Sequence, residues 1–85
     1  MVCGYVLVDT ELGRALQVAE KISKVEGVKS SCAITGEYDV IAHFVVDDIS
    51  DVGKFVVEKI HPIEGVCGTQ TCVCVRCHGE ACSTC

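Results

Sequence analysis

The chain has 85 residues, 49% hydrophobic and 22% charged, with a net charge of −5. That length holds one domain whose own core is marginal, because only about 60–65% of the unfolded surface is buried at this size. The acidic balance, with Lys and Arg scattered from Arg14 to Arg76, excludes a surface built for direct nucleic-acid contact.

Residues 2–8 read as a first strand, apolar on both sides: Val2, Val6 and Val8 against Cys3, Tyr5 and Leu7. Asp9 or Thr10 is placed to cap a helix. Leu12, Ala15, Leu16, Ala19, Ile22 and Val25 recur at three- and four-residue spacing and form its apolar stripe. Arg14, Gln17, Glu20, Lys21 and Lys24 point away, and Gly27 stops the helix. Residues 28–35, with Ser30 and Ser31, make a more polar strand suited to a sheet edge. Gly36 then turns the chain, helped by Asp39, into the longest strand-like run, residues 40–46. Val40, Ala42, Phe44 and Val46 fall on one face of it, and Ile41, His43 and Val45 on the other. A strand apolar on both faces is buried on both.

Asp47 and Asp48 place negative charge at the start of a second helix. Its stripe is Ile49, Val52, Phe55, Val56 and Ile60, and Pro62 ends it. A last strand covers residues 66–75, with Thr69, Thr71, Val73 and Val75 on one face and Gln70, Cys72 and Cys74 on the other. A faint repeat runs through the chain: Val25-Glu26-Gly27-Val28 recurs as Ile63-Glu64-Gly65-Val66, 38 positions later.

Two strand–helix–strand halves give the βαββαβ order of a ferredoxin-like α+β sandwich, a four-stranded antiparallel sheet with two helices on one face. Right-handed crossovers make the first and third strands the central pair, expected here to run parallel. The helices cover one sheet face, so the other is expected to meet a second copy in a dimer.

The segments Thr35-Gly36-Glu37-Tyr38-Asp39-Val40, Gly53-Lys54-Phe55-Val56, Ile63-Glu64-Gly65-Val66 and Thr69-Gln70-Thr71, in that order and spacing, resemble the ligand-binding (RAM) module of the Lrp/AsnC feast/famine regulators. Tyr5-Val6-Leu7-Val8 and Gly13-Arg14-Ala15 fit as well, so the resemblance covers residues 1–76. Full regulators of that family carry an N-terminal helix-turn-helix domain. This chain begins at the module's first strand and so resembles a stand-alone form. The resemblance implies an amino-acid or related effector, a homodimer assembling further, up to an octamer, and co-assembly with full-length regulators. It puts the effector at the contact between dimers, near the turn and the last strand.

The chemistry fits a zwitterion. Backbone amides at the Gly36 turn supply donors to a carboxylate. Asp39 or Asp51 can face the ammonium group, and the Thr69 and Thr71 hydroxyls can serve either end. Tyr38 completes the candidate set of Gly36, Tyr38, Asp39, Asp51, Thr69 and Thr71. Each also has an ordinary structural reading: Gly36 and Asp39 suit any tight hairpin, threonine suits strands, and Tyr38 can simply pack.

No nucleophile elbow, phosphate loop or paired acid and base is present in the sequence, so no enzyme and no cofactor are expected. His43 reads as a core or interface residue, His61 as a solvated helix-end residue. Copper-chaperone domains share the split βαβ but carry Cys-x-x-Cys after the first strand, where this chain has Asp9-Thr10-Glu11-Leu12. Cys3, Cys32 and Cys67 read as small core hydrophobes.

Residues 77–85 form a separate cysteine-rich tail. Cys74, Cys77, Cys82 and Cys85 make two Cys-x-x-Cys pairs whose four thiolates would suit zinc, although the gap between the pairs is short. Disulfides and reduced thiols are the alternatives. The leading expectation is an amino-acid sensor that regulates transcription without DNA contact of its own. The alternatives are a metal- or redox-responsive module and, behind it, a small dimeric enzyme using His43 or Tyr38. No apolar run reaches about 18 residues and the N-terminus lacks a signal-peptide pattern, so no membrane and a cytoplasmic location are expected.

Overall fold

The computed structural model describes residues 1–76 and residue 78. The readings for Cys77, Cys82 and Cys85 lie outside the described residues. In chain order the elements are β1 (Val2–Thr10), α1 (Ala15–Ser23), β2 (Val28–Ala33), β3 (Val40–Val46), α2 (Ser50–Phe55), a π-helical turn that continues it (Val56–Ile60), and β4 (Val66–Val73). The sheet order is β2-β3-β1-β4, and every neighbouring pair is antiparallel. This is the ferredoxin-like βαββαβ sandwich.

One expectation fails here: β1 and β3 are the central pair but run antiparallel, with Val2 opposite Val46 and Val8 opposite Val40. Each helical crossover skips one strand. The parallel relation therefore links β1 to β2 and β3 to β4, and neither of these pairs is adjacent in the sheet.

The core lies on one face of the sheet. Val6 and Val8 of β1 and Val40, Ala42 and Phe44 of β3 are buried against Val18, Ala19 and Ile22 of α1 and against Val52, Phe55, Val56 and Ile60. These are alternate strand positions meeting helical stripes, which is what two mismatched periods require. The rings of Phe44 and Phe55 sit 5.3 Å apart in a tilted pair that ties β3 to α2. Full burial of a side chain such as Phe44 contributes about 1.5–3 kcal/mol.

The first helix differs from its expected form. It starts at Ala15 with no side-chain cap, because Thr10 still belongs to β1 and gives its N–H and hydroxyl to Asp39 instead. The shorter helix buries Val18, Ala19 and Ile22, while Leu16 is 77% exposed and Leu12, ahead of the helix, is fully exposed. The helix also ends earlier, with Lys24 as its C-cap, and Gly27 sits in the turn beyond. Both outer strands stop two residues earlier than expected, at Ala33 and Val73. Ile49 is exposed rather than part of the α2 stripe.

The internal repeat is physical. Gly27 and Gly65 both take a left-handed φ, +97° and +101°, open to glycine. Val28 N–H bonds the Val25 carbonyl at 3.1 Å, and Val66 N–H bonds that of Ile63 at 3.2 Å. The Gly27 carbonyl accepts Val45 N–H at 2.8 Å, and the Gly65 carbonyl accepts Glu11 N–H at 2.9 Å. Each turn thus pins the end of a helix to the chain of the other half.

Of the body cysteines, Cys3 is buried but disulfide-bonded, so it is not the free core thiol expected. Cys32 and Cys67 are exposed, on the edge strands β2 and β4, where a thiol has nothing to bury against. No helix among the described residues is long and apolar enough to cross a membrane.

Candidate functional site

The turn between β2 and β3 is held from three sides. Ile34 N–H donates to the Asp39 carbonyl at 2.8 Å, closing the loop. Asp39 N–H donates to the Val8 carbonyl at 2.9 Å, and the Asp39 carboxylate accepts Thr10 N–H at 2.9 Å and the Thr10 hydroxyl at 3.3 Å. The Tyr38 hydroxyl donates to Gln70 Oε1 at 2.6 Å. The loop therefore lies across the end of β1 and joins the β2–β3 hairpin to β4.

Gly36 stands at the tip with φ +133° and nothing within 4 Å of where a Cβ would sit. Conformation, not space, demands glycine there. Among the described residues, the backbone N–H groups of Gly36, Glu37 and Tyr38 have no protein acceptor. A turn with successive unengaged amides can receive a carboxylate.

Asp39 acts as a clamp. Its two bonds to Thr10 hold the loop's last residue to the last residue of β1. Asp39→Ala is expected to leave the Thr10 N–H without its charged acceptor and to lower stability by about 1–2 kcal/mol. A urea titration reads this, with Thr10→Val as the partner variant, which removes only the longer bond.

The other candidates lie elsewhere. Thr69 and Thr71 pair with Val8 and Val6, so they share the helix-covered side of the sheet, whereas Gln70, opposite Leu7, lies on the other side with Tyr38. Thr69 Oγ1 is 2.9 Å from His61 Nε2 at the end of the second helix. Asp51 sits past the far end of β3, and six strand steps, about 20 Å, separate the two ends. The structure thus joins Gly36, Tyr38 and Asp39, places Thr69 and Thr71 behind them, and separates Asp51. Gln70 and Thr10 were missed as partners of this turn. The strand alternation of Thr69-Gln70-Thr71 was the available signal, since it puts only the middle residue on the open face.

Asp51 belongs to the start of α2, where its carboxylate accepts Asp48 N–H at 3.2 Å. Asp48 in turn accepts the hydroxyl and N–H of Ser50. These bonds, the Ser50 hydroxyl first, hold the Asp48 carboxyl below its ordinary value of 3.8. A lowered folded pKa stabilises the fold above the ordinary carboxylate range, and this is lost as pH falls through the folded value. A carbon-detected NMR titration should place the Asp48 midpoint below 3.8, and Ser50→Ala should move it back up.

The open face of the sheet carries Tyr5, Leu7, Ile41, His43 and Val45, and no described helix or strand lies over it. The rings of Tyr5 and His43, directly opposite across β1 and β3, stack at 4.9 Å and 27°. Cys74 is half-buried beside this face, and the described residues contain no group of three or more metal-ligating side chains.

The family model of the Lrp/AsnC ligand-binding domain matches residues 3–81. The uncharacterized HTH-type transcriptional regulator PH0140 of Pyrococcus horikoshii is 28% identical over 72 residues, 85% of this chain and 46% of that protein. The chain thus spans about half the length of the curated relatives it matches. The crystal structure of TTHA0845 from Thermus thermophilus superposes with a TM-score of 0.85 at 26% identity, covering 94% of this chain and 100% of that one. The transcriptional regulator NMB0573 from Neisseria meningitidis, solved as an L-Met complex, shares the fold at a TM-score of 0.77 and 22% identity over 88% of this chain and 50% of its own. The fold and the match over residues 3–81 agree: the chain belongs to the Lrp/AsnC ligand-binding domain family, whose curated relatives are transcriptional regulators.

Proposed function

We propose that this module senses an amino acid or a closely related small molecule at the turn of Gly36, Tyr38 and Asp39, and regulates transcription through its assembly rather than by touching DNA. The observation that carries the reading is the turn itself, clamped by Thr10 and Gln70 while its amides at 36–38 stay unengaged. A rigid loop presenting free donors binds a carboxylate with little ordering to offset. Methionine bound to NMB0573, which has the same fold, supports the ligand class. The net charge of −5 supports indirect action on DNA.

The open sheet face pairs two copies, and these dimers associate further, toward an octamer or mixed assemblies with full-length regulators. Thr69 and Thr71, on the far side of β4 from Tyr38 and Gln70, support the turn from behind, and Asp51, beyond the other end of β3, has no part in it. A thermal melt against the twenty amino acids at millimolar concentration tests the reading. A ligand present at 100 times its dissociation constant adds about 2.7 kcal/mol to the native state. A shift for one or a few amino acids that is lost in Gln70→Ala supports the site. No shift for any of them, in folded protein, overturns the sensor reading.

A further inference from the structure

The bare face of the sheet is uneven. Along β1, Cys3 alternates with Tyr5 and Leu7 and pairs with Val45 of β3, so it belongs to this face. Gly4 marks the other side, because a Cβ there would meet Phe44 Cζ in the core. Tyr5 is 39% exposed, yet Cys3 is only 4% exposed, although no described helix or strand lies over it. Cys3 is also disulfide-bonded, while Cys32, Cys67, Cys72 and Cys74 are free thiols.

β4 delivers the end of the chain to the same spot. Gly4 lies opposite Val73, and the Cys74 N–H donates to the Cys3 carbonyl at 2.8 Å, so Cys74 stands beside Cys3. The chain then bends at Val75, which is fully exposed. Residues 77–85 follow and hold three of the eight cysteines: Cys77, Cys82 and Cys85. Nine residues reach at most about 30 Å, and a sheet of four strands is about 14 Å across, so this length of chain can cross the face.

We infer that the second sulfur of the Cys3 cystine is one of those three, and that the bond straps residues 77–85 over the Cys3 end of the bare face, making pairing through this face sensitive to redox state. A dithiol removes the strap. One of its thiolates attacks the cystine and the other displaces the first, so that the protein's S–S bond becomes two thiols and the dithiol closes to its own cyclic disulfide. Two electrons and two protons pass from the dithiol to the protein. The uncovered end of the face then receives a second copy. Oxidised chains therefore pair weakly and reduced chains pair tightly. The inference rests on the proposed pairing of two copies through this face, and it does not depend on the turn site.

The test is sedimentation equilibrium of the full chain, purified in air, without and with dithiothreitol, beside peptide mapping without reductant. Mapping should find Cys3 joined to Cys77, Cys82 or Cys85 of the same chain. Dithiothreitol should tighten association about tenfold, the effect of uncovering a few apolar contacts at one end of an interface. Cys77→Ser, Cys82→Ser and Cys85→Ser together leave the sheet untouched, and this variant should associate as the reduced protein does, with or without dithiothreitol. Cys3→Ala should do the same, with circular dichroism as the check on its fold. Equal association in both states, with paired chains present, overturns the inference alone. Single chains in both states overturn the pairing itself and the inference with it. A Cys3 that maps as a free thiol or to another chain overturns the inference, as does a redox effect that persists in the triple variant.

Discussion

Gly4→Ala is expected to lower the stability of this domain by about 3 kcal/mol, the upper end of what overpacking a filled site does. Gly4 sits in β1 between both neighbours, opposite Phe44 on one side and Val73 on the other. A Cβ there would run into the Cys72 carbonyl oxygen and lie 2.9 Å from Phe44 Cζ and 3.0 Å from Val73 Cα. Two of those three atoms are backbone, so no side-chain rotation relieves the clash; β4 would have to move away from β1 as a unit. Folded domains have only about 5–15 kcal/mol to lose, so this one methyl group removes a large share. The contrasting variant is Gly53→Ala. Gly53 lies in α2 with nothing within 4 Å of its Cβ position, and alanine there should stabilise by about 0.5–1 kcal/mol. Urea midpoints of the two variants should therefore move in opposite directions. An unchanged midpoint for Gly4→Ala would mean that β1 and β4 do not approach as closely as this register requires.

The fold was legible because its periods were clean. Residues 2–8 and 40–46 are short runs rich in β-branched and aromatic residues and apolar on both faces, and 52, 55, 56 and 60 make a regular helical stripe. The 38-residue repeat set the βαββαβ order. The errors occur where the signal was local and the cause was not. Leu12 and Leu16 satisfy helical spacing, but Thr10 is drawn into β1 by Asp39, 29 residues away, so the helix starts later and turns those leucines outward. Spacing alone does not reveal a helix start that a distant carboxylate decides. The site shows the same division. Gly36, Tyr38 and Asp39 lie in one four-residue segment, so as candidates they stay together in the turn. Gln70, 32 residues from Tyr38, enters only through the β1–β4 register. Asp51 reads in the sequence as an acid able to face an ammonium group, and the length of β3 separates it from the turn.

Ile41→Lys is expected to break the proposed pairing of two copies through the bare sheet face and leave folded single chains. Ile41 lies opposite Leu7 in the middle of the sheet, on the face that the helices leave bare. Tyr5 on the same face is 39% exposed, and Leu7, His43 and Val45 are half-buried. Apolar positions at the centre of a four-stranded sheet are left open to water only when something else covers them, and a self-complementary face is covered most simply by its own copy across a twofold. A lysine ammonium brought into that contact appears twice, once from each subunit, among the apolar side chains of the sheet centre, with Asp9 at the end of β1 as the carboxylate of that face. Burying an unpaired charge is disfavoured by several kcal/mol, enough to dissociate a micromolar dimer at working concentration. In the isolated domain the same substitution is a surface change worth about 0.5 kcal/mol or less, so the chain should stay folded. Sedimentation equilibrium separates the cases. A wild type of two or more chains beside a folded single-chain variant places the interface on this face. An unchanged assembly places it elsewhere, and the exposed Leu12 and Leu16 of the opposite layer become the surface to test. If Ile41→Lys also abolishes an amino-acid-induced melting shift while Tyr38 and Gln70 are intact, the effector site is completed only in the assembly, and binding and association are two sides of one linked equilibrium.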